Sequence, residues 1–296
     1  MTFSKLTAVR WLWLMLLCAL VAAGCGADGD ARADGRTRVV ATTTQAADFV
    51  RNVGGGHVAV TQILAPNTDP HDYEVRPHDL GALADADLVV RSGGDVDGWL
   101  DEAITGSGTH APVLTLSDGM KLRGDDPHWW QDPRNALIAV REIERALHLR
   151  APAYERRLQR LDREVAACID KVPPAQRTLV TTHDALGYYA ARYGIDVVGT
   201  VIPSLSTEAQ PSAGDTAELI RTIKATGVKA IFAESSVNPK VEEAIAREAG
   251  AKVGKALWAD SLGPKGSDGA TYVQSIESNT KAMVDGFTGG AETCSF

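Results

Sequence analysis

Residues 151–174 read APAYERRLQRLDREVAACIDKVPP, and this stretch divides the chain into two parts of similar pattern. Apolar residues recur in it at intervals of three and four, which predicts a single apolar stripe along a helix. The stripe consists of Tyr154, Leu158, Leu161, Val165, Ile169 and Val172. Ala151-Pro152 opens the helical pattern and Pro173-Pro174 ends it. We therefore predict one long helix over residues 151–172.

Short β-branched runs alternate with helical stretches on both sides of this helix, beginning at Thr37. The predicted strands cover residues 38–44, 58–64, 87–91, 113–116, 179–182, 196–201, 230–233 and 252–257. The predicted helices cover residues 45–53, 79–84, 96–104, 135–149, 185–192, 213–225, 240–248 and 270–286. Such alternation is typical of α/β domains. We predict two α/β lobes with parallel-type sheets, residues 37–150 and 173–296, joined by one long rigid helix.

The N-terminus has the parts of a secretory signal. Lys5 and Arg10 form a positive region, and the apolar run of residues 11–23 follows it. The run is shorter than the roughly 20 apolar residues that span a bilayer as a helix. We predict that residues 1–24 are a signal peptide, which is removed from the exported protein.

A lipid anchor is predicted at the end of this signal. Ala22-Ala23-Gly24-Cys25 resembles a bacterial lipobox, although Ala22 stands where such boxes usually carry Leu. We expect lipidation of Cys25, with residues 25–36 as a flexible tether, which would hold the protein at the outer face of the cytoplasmic membrane. The alternative is ordinary cleavage after Ala23 or nearby, which leaves Cys25 a free thiol and the protein soluble in the periplasm or secreted.

The charge balance excludes some classes of partner. The formal net charge is −8, and it becomes −10 when Lys5 and Arg10 leave with the signal. A protein this acidic is a poor partner for nucleic acid or for an anionic membrane face, and it suits a cation.

Two cysteines remain once Cys18 leaves with the signal and Cys25 is assigned to lipidation, namely Cys168 and Cys294. In an oxidising compartment these two can form a disulfide. Alternatively, Cys168 is a small buried hydrophobe on an amphipathic helix. The sequence leaves both possibilities open.

Four loop segments place a metal-binding side chain after a predicted strand or in a turn rich in Pro and Asp. They are Asp69-Pro70-His71, Asp126-Pro127-His128, Thr182-His183-Asp184 and Ala259-Asp260-Ser261. In the repeated Asp-Pro-His the proline stiffens the loop, and the nearby carboxylate can accept the second N–H of the imidazole. Asp184 is a weaker candidate for this role beside His183, because adjacent side chains point apart. Three imidazoles and one carboxylate suit tetrahedral Zn²⁺, whereas Mn²⁺ prefers more oxygen.

Spacing alone does not predict that these side chains meet in the folded protein, but a family resemblance does. The chain resembles the metal-binding receptors of bacterial ABC importers, the cluster that takes zinc or manganese, from about Val39 to the last helix. The motifs that carry this resemblance are Thr68-Asp69-Pro70-His71-Asp72-Tyr73-Glu74, Asp126-Pro127-His128 through Asp132-Pro133, Thr182-His183-Asp184-Ala185 with Gly187-Tyr188, Gln210-Pro211-Ser212, Ile231-Phe232-Ala233-Glu234 and Asp260-Ser261-Leu262.

The resemblance implies a ligand set and a function. The family's ligands fall on His71, His128, His183 and Asp260, and the third is typically His in zinc receptors and Glu in manganese receptors. It implies a monomeric receptor, not an enzyme, that carries Zn(II) as transported ligand to an ABC permease and its ATPase. Glu234 also matches a family position, and we interpret it as structural or as supporting a ligand.

One departure from the family concerns the source of zinc. Many zinc receptors of this family carry a long loop rich in His and Asp before the second ligand, whereas residues 121–126 supply only Asp125 and Asp126. Either free zinc suffices or a zinc metallochaperone delivers it.

Two other functions compete with the zinc receptor. The nearer is a manganese or iron receptor of the same fold. The more distant is a zinc-dependent hydrolase, but Asp260 would close the coordination shell, and the sequence has no His-Glu-x-x-His helix and no Gly-x-Ser-x-Gly elbow.

Overall fold

The computed structural model describes residues 35–296. The predicted signal peptide, Cys25 and most of the predicted tether lie outside these residues. No helix within the described part combines the length and the hydropathy that crossing a bilayer requires.

The first half of the described chain is built on a parallel sheet whose strands run in the order β2-β1-β3-β4. The strands are β1 (Thr37–Ala41), β2 (Val58–Gln62), β3 (Leu88–Arg91) and β4 (Val113–Thr115). Val39 and Val90 pack into one apolar cluster, and Val40 and Val89 pack into another on the opposite face. The central strands are therefore buried on both faces, as is usual for parallel sheets covered by helices.

Helices cover both faces of this sheet. They are α1 (Thr44–Gly54), α2 (Pro77–Ala84), α3 (Leu100–Ser107) and α4 (Pro133–Leu147). The prediction of one helix over residues 96–104 is wrong, because a 3₁₀ turn at Gly94–Asp97 precedes α3. The Asp97 carboxylate accepts hydrogen bonds from the Ser92 and Gly93 amides and from the Thr42 hydroxyl, and these bonds fix the turn against the ends of β1 and β3.

Helix α5 (Pro152–Ile169) joins the two halves, which pack together within one compact unit. Its 18 residues give it a length of about 27 Å at the usual rise per residue. Leu158, Leu161 and Val165 on its apolar stripe are fully buried. At the N-terminal end of the same stripe, the Tyr154 hydroxyl donates to Asp48 of α1 at 3.1 Å, so the helix is anchored to the first half.

The second half repeats the strand order of the first. Its strands are β5 (Thr178–Thr181), β6 (Asp196–Thr200), β7 (Ala230–Ile231) and β8 (Lys252–Val253). The pairs β5-β6 and β7-β8 are parallel, and a parallel bridge between Thr181 and Phe232 joins them into the order β6-β5-β7-β8. The helices are α6 (Gly187–Tyr193), α7 (Ala213–Thr226), α8 (Lys240–Ala249) and α9 (Tyr272–Thr288).

Both halves of the predicted architecture are thus present. Two α/β lobes with parallel sheets are joined by one long helix, and this confirms the predicted fold class. Asp162 of α5 accepts from the Arg192 guanidinium of α6 at 2.8 and 2.7 Å, so the joining helix is anchored to the second lobe as well.

A disulfide fixes the end of the joining helix. Cys168 is bonded to Cys294, with their Cα atoms 5.8 Å apart. The bond ties α5 to the segment that follows α9.

We predict that replacing both cysteines (Cys168→Ala with Cys294→Ala) lowers the free energy of unfolding by about 2–5 kcal/mol, because the unfolded chain is no longer cross-linked. Urea unfolding of the two forms measures the difference. A non-reduced peptide map of the wild type should contain the linked peptides, and free thiols at both positions would contradict the bond.

Candidate metal centre

The two Asp-Pro-His segments form the same turn. Asp69 accepts a hydrogen bond from the His71 amide at 3.0 Å, and Asp126 accepts one from the His128 amide at 3.0 Å. Each bond closes a local turn of the type that Asp favours, and the proline inside it restricts the backbone further. Both imidazoles are therefore presented from stiff loops of the first lobe.

His183 follows β5 in the second lobe and is held from two sides. The Thr181 hydroxyl donates to the carbonyl of His183 at 2.8 Å, and the His183 amide donates to Glu234 at 3.2 Å. Asp184 is exposed, as expected of a neighbour that points away, and Glu234 has the role for which Asp184 was the weaker candidate.

The loop that carries Asp260 belongs to the second lobe but is fixed by the first. The Gln45 side chain donates to the carbonyl of Asp260 at 3.0 Å. The side chains of Trp130 and Gln131 donate to the carbonyl of Ala259 at 2.9 and 2.7 Å. All these groups are buried, so the loop has little freedom to move away from the first lobe.

The four predicted side chains converge at the interface of the lobes. His71, His128, His183 and Asp260 each offer one ligand atom, and these atoms lie within 4.8 Å of one another. The nearest oxygen of Asp260 is 3.4 Å from His71 Nε2, 3.5 Å from His128 Nε2 and 3.2 Å from His183 Nε2. The side chains of His128, His183 and Asp260 are fully buried, and that of His71 is 4% exposed.

Two carboxylates behind the site fix the tautomers of two imidazoles. His128 Nδ1 lies 2.8 Å from Asp126 Oδ1, and His183 Nδ1 lies 2.6 Å from Glu234 Oε1. A carboxylate only accepts, so each Nδ1 carries the proton and donates it. When both imidazoles are neutral, as metal binding requires, the two Nε2 atoms, 3.3 Å apart, therefore face each other with lone pairs.

The site is rich in acceptors. Within the described residues, His71 Nε2 and both carboxylate oxygens of Asp260 have no hydrogen-bond partner although they are buried. Buried polar atoms without partners are costly, and a cation among these nitrogen and oxygen atoms would satisfy all of them.

The electrostatics agree with this chemistry. Burial alone would lower the pKa of the His183 imidazole, but Asp260 and Glu234 raise that pKa to about 11. Burial alone would raise the pKa of Asp260, but His183 and His128 hold it well below its usual range. In the absence of a metal ion, His183 therefore carries a second proton, on Nε2, and a cation must displace it.

Trp130 forms one wall of the centre. Its ring lies 5.3 Å from that of His128 at an angle of 70°, and its Nε1 donates to the carbonyl of Ala259 in the loop of Asp260. Trp129 instead packs against Phe49 and donates to the carbonyl of Ser92, so it belongs to the core of the first lobe. Of the two, only Trp130 therefore contacts the centre.

The resemblance led us to interpret Glu234 as structural or as supporting a ligand, but sequence reasoning missed the groups that stand behind Glu234. The Thr182 hydroxyl accepts from the Glu234 amide at 3.2 Å and donates to Glu242 of α8 at 2.6 Å. Glu234 and Glu242 are almost fully buried. Glu234 follows a predicted strand run, as the ligand loops do, whereas no local pattern marks Glu242 as part of this chain.

The comparisons with known proteins agree with this geometry. The family model described as "ZnuA: Zinc-uptake complex component A periplasmic" matches residues 39–286. The chain is 32% identical over 299 residues to "Manganese-binding lipoprotein MntA" of Bacillus subtilis (strain 168), covering 91% of this chain and 97% of that protein. It is 30% identical over 279 residues to "Zinc-binding protein TroA" of Treponema pallidum (strain Nichols), covering 86% and 90%.

The solved structures give the same answer for the fold. The periplasmic zinc binding protein TroA from Treponema pallidum superposes with a TM-score of 0.79 at 28% identity, covering 86% of this chain and 99% of that chain. The names of these relatives cite different metals, so the likeness identifies a metal receptor without choosing the ion.

We predict that removing either supporting carboxylate weakens metal binding by about 10–100-fold, because the imidazole loses its orientation and part of its basicity. The variants are Asp126→Asn and Glu234→Gln, measured by calorimetry with Zn²⁺. The exposed neighbours give matched controls, Asp125→Asn and Glu243→Gln, and these should bind as the wild type does. Equal loss in a variant and its control would contradict the assigned roles.

We further predict that affinity rises with pH between 5 and 8, by about tenfold per unit where one proton is displaced, because the pKa of His183 lies far above this range. Calorimetry at pH 7 in buffers of different ionisation enthalpy should show release of about one proton per ion. An affinity independent of pH over this range would exclude the imidazole site.

Proposed function

Because this chain belongs to the zinc-uptake complex component A family of periplasmic metal-binding receptors, we propose that it captures Zn²⁺ outside the cytoplasmic membrane and delivers it to an ABC permease and its ATPase. The broader role, substrate-binding receptor of a metal ABC transporter, follows from the family. We propose His71, His128, His183 and Asp260 as the ligands, held between lobes of residues 37–150 and 173–296 that residues 151–172 connect.

The observation that carries the choice of zinc is the third imidazole. His183 adds a nitrogen to those of His71 and His128, and its Nδ1 is fixed on Glu234. Three nitrogens and one carboxylate are a common tetrahedral set for Zn²⁺, with Zn–N distances of about 2.0–2.1 Å.

A manganese or iron receptor is the second candidate, and one observation favours it. Both oxygens of Asp260 are free of hydrogen-bond partners among the described residues, so this carboxylate can bind an ion through one oxygen or through both. Binding through both gives a fifth ligand atom and a larger share of oxygen, which suits Mn²⁺ better.

A hydrolase fits the site poorly. Catalytic zinc keeps one position open for water or substrate. Here four protein ligands converge, and at most 4% of any of their side chains is exposed. The closed arrangement supports capture of an ion rather than a reaction at it.

The proposed receptor is held at the membrane by lipid on Cys25, with residues 25–36 as its tether, and it acts as a monomer. The relatives named as lipoproteins support the anchor. Mass spectrometry of the Cys25 peptide from membrane-extracted protein tests it, and an unmodified thiol there would overturn it. The ion comes either from free zinc or from a zinc metallochaperone.

We predict that protein purified without added metal contains about one equivalent of zinc by elemental analysis, and that His183→Ala binds zinc at least about 100-fold more weakly because a ligand is lost. His183→Glu should shift the preference towards Mn²⁺ in a competition experiment, since oxygen replaces nitrogen.

Different outcomes test the choice of ion and the ligand set independently. A wild type that prefers Mn²⁺ or iron over zinc in the same competition would overturn the choice of zinc but leave the receptor. Unchanged zinc affinity in His183→Ala would overturn the ligand set itself.

A further inference from the structure

The loop of His71 in the first lobe is hydrogen-bonded to two loops of the second lobe. The amide of Asn67 donates to the carbonyl of Leu262 at 2.9 Å, close to Asp260, and the second bond involves Thr207. The Thr207 hydroxyl, in the loop between β6 and α7, donates to Asp69 Oδ2 at 2.7 Å. The other oxygen of Asp69 accepts from the His71 amide. A single carboxylate therefore holds the backbone of a proposed ligand and contacts the opposite lobe.

The loop of Thr207 is in turn connected to the third ligand. The carbonyl of Ser204 accepts from the amide of Asp184, the residue after His183, at 3.0 Å. The Ser204 hydroxyl also accepts from the Ser206 amide at 3.1 Å, which shapes the turn before Thr207. A continuous path thus joins His71 to His183 through Asp69 and the loop around Thr207, without passing through the metal position.

The groups on this path are more accessible than those on the other ligand loops. Asp69 and Thr207 are half-buried, whereas the groups that hold the loop of Asp260 are buried. His71 is also the least buried of the four ligands. Water can replace a hydrogen bond at a half-buried position far more easily than in the interior.

We propose that the hydrogen bond between Asp69 and Thr207 is a latch that keeps the loop of His71 closed over the bound ion and sets its residence time. While the bond holds, His71 stays beside Asp260 and the ion is enclosed. When the bond opens, residues 68–71 can move away from the loop of Thr207 while the amide of Asn67 stays bonded to the carbonyl of Leu262, and the ion is released on the side of His71. The bound ion draws the acceptor atoms of His71 and Asp260 together and so favours the closed loop, whereas without an ion these atoms gain nothing from closure. Loss of the latch therefore affects dissociation more than association.

The inference rests on the proposed metal-binding function, and Thr207 tests it without altering a ligand. Asp69 is unsuitable for this test, because its substitution also removes the turn that orients His71. Thr207→Val keeps the shape of the side chain and removes the donor. Thr207→Ser keeps the donor and serves as the conservative control.

The experiment uses the full-length protein loaded with Zn²⁺, and stopped-flow transfer to an excess of a chromophoric chelator measures the dissociation rate. We expect Thr207→Val to release zinc about tenfold faster, in line with the loss of one charge-assisted hydrogen bond, while the association rate changes less than about twofold. Thr207→Ser should release zinc at the rate of the wild type.

The possible failures are distinguishable. An unchanged dissociation rate in Thr207→Val, with normal zinc binding by the wild type, overturns the latch alone. Equally fast release from Thr207→Ser also overturns it, because packing rather than the hydroxyl would then set the rate. A wild type that binds no zinc overturns the proposed function, and the latch with it.

Discussion

The positions of two protons determine the chemistry of the centre. His128 and His183 donate their Nδ1 protons to Asp126 and Glu234, so their Nε2 lone pairs face each other and the carboxylate of Asp260. With the opposite tautomers, two N–H groups would point into the same space and would donate to Asp260 instead of accepting a cation. Asp126 and Glu234 do not reach the metal position. By fixing the two tautomers, they nevertheless make the four converging side chains a cation site rather than a set of ordinary ion pairs.

The four side chains come from both lobes. The lobe that holds a side chain in place is, however, not always the half of the sequence to which it belongs. Asp260 lies in the second half of the sequence, yet the Gln45 side chain holds its carbonyl, and Trp130 holds the adjacent Ala259 while packing against His128. Asp260 and His128 are thus attached to one body. His183 is fixed to the interior of the second lobe through Glu234. A small tilt between the lobes would change the distances to His183 while preserving the pair formed by Asp260 and His128.

The parts that sequence could predict are those that local patterns determine. Apolar periodicity was enough for the two α/β lobes and the joining helix, and the Asp-Pro-His segments form the stiff turns expected of them. Local patterns could not predict the long-range hydrogen bonds. Glu234 is 51 residues from His183, and the bond from Thr42 to Asp97 that divides the helix predicted over residues 96–104 spans 55. Convergence of the four ligands came from the family resemblance, because no local spacing encodes a distance between lobes.

The choice of ion depends on the donors rather than on the fold, since relatives named for zinc and for manganese match this chain over most of its length. The carboxylates of Asp126 and Glu234 make the imidazoles of His128 and His183 better electron donors, because each accepts the Nδ1 proton. Stronger nitrogen donors raise the affinity of the site most for metals that bind nitrogen well. Among divalent first-row ions, the affinity for Mn²⁺ rises least. Asp260 alone supplies oxygen to the set, and binding through both of its oxygens would still leave nitrogen in the majority. The groups that create the lone pairs thus also support the choice of zinc in the proposed function.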